Sequence, residues 1–344
     1  MDRLWERYSR QILFAPIGRE GQERLARSRV AIVGMGALGT VLANHMVRAG
    51  VGYVRLIDRD VVEMSNLQRQ MLYDEDDARA HLPKAVAAAD KLRRINSDVT
   101  VEPHVVDLNA TNAESLLANV DLVLDGTDNF HVRFLVNDVC VKHGIPWVYG
   151  GVVRARGMVA LLRPGTTPCL RCLFDSPPAA HTETCDTVGV IGPIVHVVAS
   201  YQAAEALKLL IGATDKLAPV LRYVDLWEGQ EGAMRLDGAR KRDCPCCARR
   251  QFDFLDPQRE AGAVTTLCGR NTVQIVPPQP LALNLDNLAG RLAAVGSVER
   301  NRFLLRARVS DDHTLVVFPD GRVLVQGTDN PTVAKSLYAR YIGA

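Results

Sequence analysis

No run in this sequence is apolar for long enough to cross a membrane or to form the core of a secretion signal. Met1 is followed at once by the charged stretch DRLWERYSRQ. The cytoplasm is the expected location, with no membrane contact. An excess of one charge is also missing. The formal net charge is +2, which gives no sign of a general nucleic-acid surface. Internal repeats and low-complexity tracts are absent. The eight histidines are scattered, and none falls in a pattern that assigns it a chemical role. Cysteine is not scarce: there are eight. Structural disulfides are rare in the cytoplasm, so these thiols need another reason. At 344 residues, 47% hydrophobic and 23% charged, the composition is that of an ordinary globular protein. The chain is long enough for a sizeable core, arranged as two domains or one large one.

The first half alternates strand and helix patterns. RVAIVG (Arg29 to Gly34) is a short apolar run ending in Gly, the form of a strand buried on both faces. A helix closed by Gly50 follows, then the strand YVRLID ending at Asp58. Pro83 opens an Ala-rich helix. VTVEPHVVDL and DLVLDG (Asp121 to Gly126) read as the third and fourth strands. A helix ending at Gly144 and the strand IPWVYGG complete the series. Such alternation implies a doubly wound, Rossmann-like, mostly parallel sheet of the α/β class. Ligands on such sheets bind outside the carboxyl ends of the strands, where Gly34, Asp58 and DGTDN fall.

After Gly157 come the strand MVALLRPG, a long helix closing at Gly212, and VLRYVDLWEG. Beyond about Arg250 the parallel rhythm stops. NTVQIV, FLLRARV, HTLVVF and RVLVQG are short alternating strands, FPDGRV places Asp-Gly at a tight hairpin, and a final helix ends the chain. Two domains are therefore expected: residues 1–250, and a small α+β appendage over 251–344.

GMGALG (Gly34, Gly36, Gly39) follows a strand and opens a helix. Its glycines let backbone approach a phosphate at a helix N-terminus, and Asp58 at the end of the next strand can bind ribose hydroxyls. This pattern says nucleotide without saying which, and nicotinamide-dependent dehydrogenases are the larger class. The stretch EMSNLQRQMLY points elsewhere. Asn66, Arg69 and Gln70 are spaced to share one face of a polar helical turn. Lys84 begins the next helix, and Asp128 and Asn129 follow the fourth strand. Two cations, an acid and several amides suit a triphosphate with Mg²⁺. Hydride transfer calls for no such set. Each of Arg69 and Lys84 taken alone could be a solvated surface charge.

RYSRQ, GMGALG, DRDVVEMSNLQRQ, PKAVAA, DGTDNFHVRFLVND and the two C-x-x-C pairs, in this order, resemble the family of ThiF, MoeB and the ubiquitin-activating enzymes. The resemblance covers roughly residues 3–250. Bacterial members adenylate the C-terminal glycine of a small ubiquitin-like sulfur carrier. The resemblance implies that Asp58 binds ribose, that Arg69 and Lys84 bind the phosphates, that Asp128 handles Mg²⁺, and that Asn66 and Gln70 line the site. It also implies a homodimer in which Arg10 reaches the ATP of the other subunit.

The cysteine pairs are Cys169/Cys172 and Cys244/Cys247, which together supply the four thiolates of a closed structural Zn²⁺ site. Cys246 could replace Cys247 in principle, but only Cys247 keeps two residues between ligands. Cys185, in TETCDTVGVIGP, matches a cysteine that lies in the resembling family on a crossover segment near the carrier tail. That position implies either a sulfur-linked intermediate or a dispensable cysteine on a covering loop. Cys140 is expected in the core. Cys268 lacks the loop length and second arginine of a persulfide-carrying rhodanese loop.

The function expected is adenylyl transfer from Mg·ATP to the terminal carboxylate of a ThiS-type carrier, for thiamine thiazole synthesis. A sulfur donor such as a cysteine desulfurase persulfide would act next. The same reaction on a MoaD-type carrier, for molybdopterin synthesis, is the alternative. A nicotinamide-dependent redox protein and a non-enzymatic ubiquitin-like-protein adaptor are remoter ones.

Overall fold

The computed structural model describes residues 3–177, 188–257, 264–267, 271–277 and 281–343. The chain divides into two compact units, Met1–Pro257 and Gln258–Ala344. The boundary falls at Pro257 rather than near Arg250. The added segment is held to the first unit, because Phe254 N donates to Asp138 Oδ2 (3.0 Å) and the Phe254 ring packs 5.0 Å from that of Phe134.

In the first unit, strands β1 (Arg29–Val33), β2 (Tyr53–Asp58), β3 (Thr100–Val105), β4 (Leu122–Asp125) and β5 (Trp147–Val153) are parallel. Strands β6 (Arg156–Leu162), β7 (Val220–Asp225) and β8 (Gln230–Arg235) extend the sheet antiparallel. The order is β3-β2-β1-β4-β5-β6-β7-β8. Direction of travel across the sheet reverses between β1 and β4, and a crevice opens at such a switch point.

Alternate residues of the inner strands face two separate cores, as a doubly covered sheet requires. Val30, Ile32, Val54 and Leu56 join the helices α3 (Ala37–Ala49), α5 (Lys84–Ile95) and the long helix Gly192–Leu210 in one core. Ala31, Val33, Ile57 and Val123 join α6 (Ala113–Leu117) and α7 (Phe130–His143) in the other. Two N-terminal helices, α1 (Arg3–Ile12) and α2 (Gly18–Arg27), and the short α4 (Glu75–Arg79) were not anticipated from the pattern. Helix α1 is tied down where Asn96 Nδ2 donates to Tyr8 Oη (2.8 Å) and Gln11 Nε2 to Ala49 O (2.9 Å).

The second unit is a six-stranded antiparallel sheet in the order β11-β12-β13-β14-β10-β9. Its strands are β9 (Val264–Leu267), β10 (Thr272–Ile275), β11 (Val298–Arg300), β12 (Leu305–Arg308), β13 (Thr314–Val317) and β14 (Val323–Gln326). The helices Leu285–Leu292 and Pro331–Tyr341 share its core with one sheet face. Asp320 and Gly321 lie in the β13–β14 hairpin turn, where the pattern put them.

Candidate active site

The Gly-rich loop joins β1 to α3 at the switch point. Gly34 has φ +86°, and a Cβ there would come within 2.7 Å of Gly126 O at the end of β4. A Cβ on Gly39 would collide with Gly34 O at 1.8 Å. Only glycine lets the two strand ends and the first turn of α3 approach this closely. Gly36 differs: a Cβ there would meet nothing nearer than Gln70 Nε2 at 3.8 Å. Gly36 caps α3 without a side-chain hydrogen bond, and no acidic residue occupies the first turn. The loop therefore offers an open approach to free backbone N–H groups, which suits phosphate.

Asp58, at the carboxyl end of β2, is locked by backbone donors. Met35 N donates to Oδ2 and Asp60 N to Oδ1, both at 2.6 Å. Burial pushes its carboxyl above the ordinary range; Lys84 opposes that shift and Asp60 adds to it. Lys84 opens α5 with its side chain 3% exposed, and Nζ lies 3.2 Å from Asp60 Oδ2. Tyr73 Oη donates to Met35 O (2.7 Å) and Lys84 O (3.1 Å), so one hydroxyl ties the Gly-rich loop to the start of α5.

The segment after Asp60 departs from the expected helical face. Met64–Asn66 is a single 3₁₀ turn, closed by a reciprocal capping box between Glu63 and Asn66. Arg69 N and Gln70 N both donate back to Asn66 O, continuing the chain as turns. Asn66 and Gln70 are buried, Arg69 is half-buried, and Arg69 Nη1 donates to Ser65 O (2.9 Å). The Asn66 side chain therefore serves its own turn, since Oδ1 accepts from Glu63 N (3.1 Å). Gln70 Oε1 is buried with no hydrogen-bond partner, beside the open Gly36. A buried orphan acceptor next to a phosphate-type loop fits a site built for a polar ligand.

Asp128 is exposed in the link between β4 and α7, and Asn129 caps α7 by accepting from His131 N (2.8 Å). Burial works against the charge on Arg59, but Asp107, Asp60 and Asp128 together raise its pKa. Asp58, Asp60 and Lys84 thus lie together where β2 ends and α5 begins, Gln70 lies beside Gly36 of the loop, and Asp128 acts electrostatically on Arg59, the residue between Asp58 and Asp60. Arg10 is exposed on α1. Cys185 lies outside the described residues, as does Cys268.

The chain matches the ThiF family over residues 8–246. The chain belongs to the ThiF family. A sulfur carrier protein ThiS adenylyltransferase of Bacillus subtilis is 47% identical over 338 residues, 98% of this chain and 99% of that protein. A sulfur carrier protein adenylyltransferase of Thermus thermophilus is 40% identical over 77% of this chain and 96% of its own length. Among solved structures, E. coli MccB with ATP aligns with TM-score 0.62 and 24% identity, covering 70% of this chain and 74% of MccB; it is a relative in fold.

The cysteines of this ThiF-family chain converge as the two pairs suggested. The sulfurs of Cys169, Cys172, Cys244 and Cys247 all lie within 4.8 Å of one another. Cys169–Cys172 is 3.8 Å, Cys169–Cys244 is 3.6 Å and Cys172–Cys247 is 3.5 Å. Four sulfurs at the usual Zn–S distance of about 2.3 Å form a tetrahedron with edges of about 3.8 Å, so the set fits zinc. Three of them, Cys169, Cys172 and Cys247, are hard to ionise as thiols. Contact with Cys169, together with burial, pushes Cys172 up to about 12, and burial with the Cys172 contact pushes Cys247 up to about 11. A cation at their centre reverses that preference. Cys246 is fully buried and faces the amide of Asn137, whose Nδ2 donates to its sulfur (3.3 Å). Asn137 Oδ1 also accepts from Leu170 N (2.8 Å), so α7 carries both cysteine loops. Cys140 is buried in α7, and burial pushes its thiol up, as a core role requires.

Sequence reasoning passed over Asp125, Arg133, Tyr73 and Gln202. Gln202 is fully buried on the long helix, with Nε2 donating to Asp125 O (2.8 Å). The available signal was a polar residue inside an apolar segment, which does not by itself name a partner. Also unforeseen was an open apolar row on the antiparallel strands. Met158, Tyr223 and Met234 are 42%, 49% and 61% exposed. Nearby, a cleft of about 360 Å³ is lined by Arg154, Arg156, Val190, Ile191, Asp225 and Trp227. A Cβ on Gly192, the residue after Ile191, would lie 3.2 Å from Gln68 O, so the start of the long helix packs against the turn that carries Arg69 and Gln70.

Proposed function

We propose that this chain adenylates the C-terminal glycine of a ubiquitin-like sulfur-carrier protein of the ThiS type. The observation that carries this reading is full-length similarity to a ThiS adenylyltransferase, joined to a crevice whose groups suit a nucleoside triphosphate. The carrier's terminal carboxylate attacks the α-phosphorus of ATP. The bond from that phosphorus to the bridging oxygen breaks, pyrophosphate leaves with the electron pair, and an acyl adenylate remains. A carboxylate is already ionised, so no general base is required. Backbone N–H groups at the start of α3 receive phosphate oxygens, Asp58 receives the ribose, and Lys84 and Arg69 offset the charge that moves onto pyrophosphate. Asp128 is the residue to hold Mg²⁺, which supplies further charge neutralisation. Zinc at the four cysteines is structural.

The apolar row of Met158, Tyr223 and Met234 is assigned to the folded body of the carrier, and the cleft beside Ile191 to its tail. A sulfur donor, such as a cysteine desulfurase persulfide, then displaces AMP. A homodimer, with Arg10 supplied across the subunit interface, belongs to the same proposal. No helix among the described residues is long and apolar enough to cross a membrane. The test is ATP–pyrophosphate exchange with purified ThiS-type and MoaD-type carriers in turn. Exchange with the ThiS type is expected. Exchange with the MoaD type alone moves the protein to molybdopterin synthesis, and none with either removes the activity.

A further inference from the structure

Asp128 sits in the short link between β4 and α7, and its side chain is exposed. Its position is therefore set by the backbone on either side. That backbone is held by a buried pair that the proposed chemistry does not use. Asp125 Oδ1 accepts from Thr127 N (2.9 Å) and Thr127 Oγ1 (2.7 Å). Asp125 Oδ2 accepts from Arg133 Nε (2.9 Å) and from Gly150 N (3.3 Å). Arg133 Nη2 then donates to Thr127 O (2.6 Å) and Gly150 O (2.9 Å). Thr127, the residue before Asp128, is gripped through its N–H, its hydroxyl and its carbonyl. Asn129, the residue after, is fixed as the cap of α7.

We propose that Arg133 is a positioning residue for adenylation: through Asp125 and the Thr127 carbonyl it fixes the link so that Asp128 is presented to Mg·ATP in one geometry. This inference rests on the adenylation reading above. Arg133 is 5% exposed and Asp125 2% exposed, so neither reaches substrate as a solvent-facing group would. A guanidinium fork suits the task, because Nε and Nη2 point in fixed, different directions. The rings of Phe130 and Tyr149, with centroids 4.9 and 5.3 Å from the guanidinium carbon, hold its plane. Burial opposes its charge, yet Asp125 leads the groups that keep its pKa raised, and Asp128 is among them. Lysine would keep the charge and lose the fork.

A buried ion pair can also be a packing feature, replaceable at little net cost. A double-mutant cycle separates the two roles, because groups that act as a unit are not additive. Pyrophosphate exchange is measured against Mg²⁺ concentration for the full chain with its carrier. The variants are Arg133→Lys, Asp128→Ala and the two combined, with zinc content and melting temperature followed alongside. If Arg133 acts through Asp128, Arg133→Lys slows exchange by at least roughly tenfold and raises the Mg²⁺ requirement, with carrier binding unchanged. Combined with Asp128→Ala it then adds little further loss. Independent, multiplying losses, or unaltered exchange and Mg²⁺ dependence in Arg133→Lys, overturn the proposal. Should Arg133→Lys fail to fold, the neutral pair Asp125→Asn with Arg133→Gln is put through the same cycle and read by the same outcomes. Absence of exchange in the wild-type protein would instead strike the adenylation reading, before any variant is made.

Discussion

Lys84 Nζ lies 3.2 Å from Asp60 Oδ2 in a pocket where the lysine side chain is only 3% exposed. A buried ammonium is costly unless paired, and here its partner is a carboxylate two residues beyond the one assigned to ribose. On the proposed assignment, the pairing holds the cation in place before any phosphate arrives. A preorganised cation of this kind requires little rearrangement as charge moves onto pyrophosphate.

Lys84→Ala and Arg69→Ala are therefore expected to lose pyrophosphate exchange by roughly 10²–10³ while still binding the carrier. Exchange rates and carrier titrations check this together. Near-normal exchange in either variant would remove that residue from the first chemical step.

The cysteine cluster predicts about one zinc per chain with four sulfur ligands. Cys172→Ser should lose zinc and melting temperature. Cys246→Ser should keep the metal, since that sulfur faces Asn137. X-ray absorption with metal analysis decides the matter. Nitrogen or oxygen ligands, or a metal-free protein of unchanged stability, would count against a structural zinc.

Arg10 is exposed on α1 and is assigned across the subunit interface. Arg10→Ala subunits mixed with Asp128→Ala subunits should regain exchange, because one site of each mixed dimer then has both native residues. No recovery in verified mixed dimers, or full activity in a monomer, contradicts the assignment.

Cys185→Ala should keep exchange near wild type, because a thiol takes no part in attack by a carboxylate on phosphorus. Any loss should appear later, in transfer of sulfur to the carrier. Abolished exchange in Cys185→Ala beside normal exchange in Arg69→Ala would place the cysteine at the first step instead.

Much of the adenylation unit was determined by the sequence itself, because its signals are local. Gly34, Gly36 and Gly39 mark a strand-to-helix turn through backbone sterics alone, and the close approaches at Gly34 and Gly39 agree. Two C-x-x-C spacings name four thiols that the fold brings together. Apolar runs closed by Gly marked the inner strands and helices of the sheet. Four strands of the small antiparallel unit, its Asp-Gly turn and its final helix were legible from alternation, whereas β9, β11 and the helix Leu285–Leu292 were not.

Other features exist only once distant segments meet. The periodicity of SNLQRQ suggested one helical face; the capping box at Glu63 turned it into a 3₁₀ turn instead, burying Gln70 against Gly36. Spacing alone favoured Cys247 over Cys246, while the structure turned Cys246 toward Asn137 on a helix more than a hundred residues away in the chain. Arg133 reads as one charge in an amphipathic helix. Its role depends on Asp125, Thr127 and Gly150, which β4 and β5 bring beneath the link that carries Asp128. Local patterns report which backbone conformation a segment prefers. Which buried polar groups satisfy one another is a property of the packed molecule, because desolvation makes each pairing obligatory only after the strands and helices have closed around it.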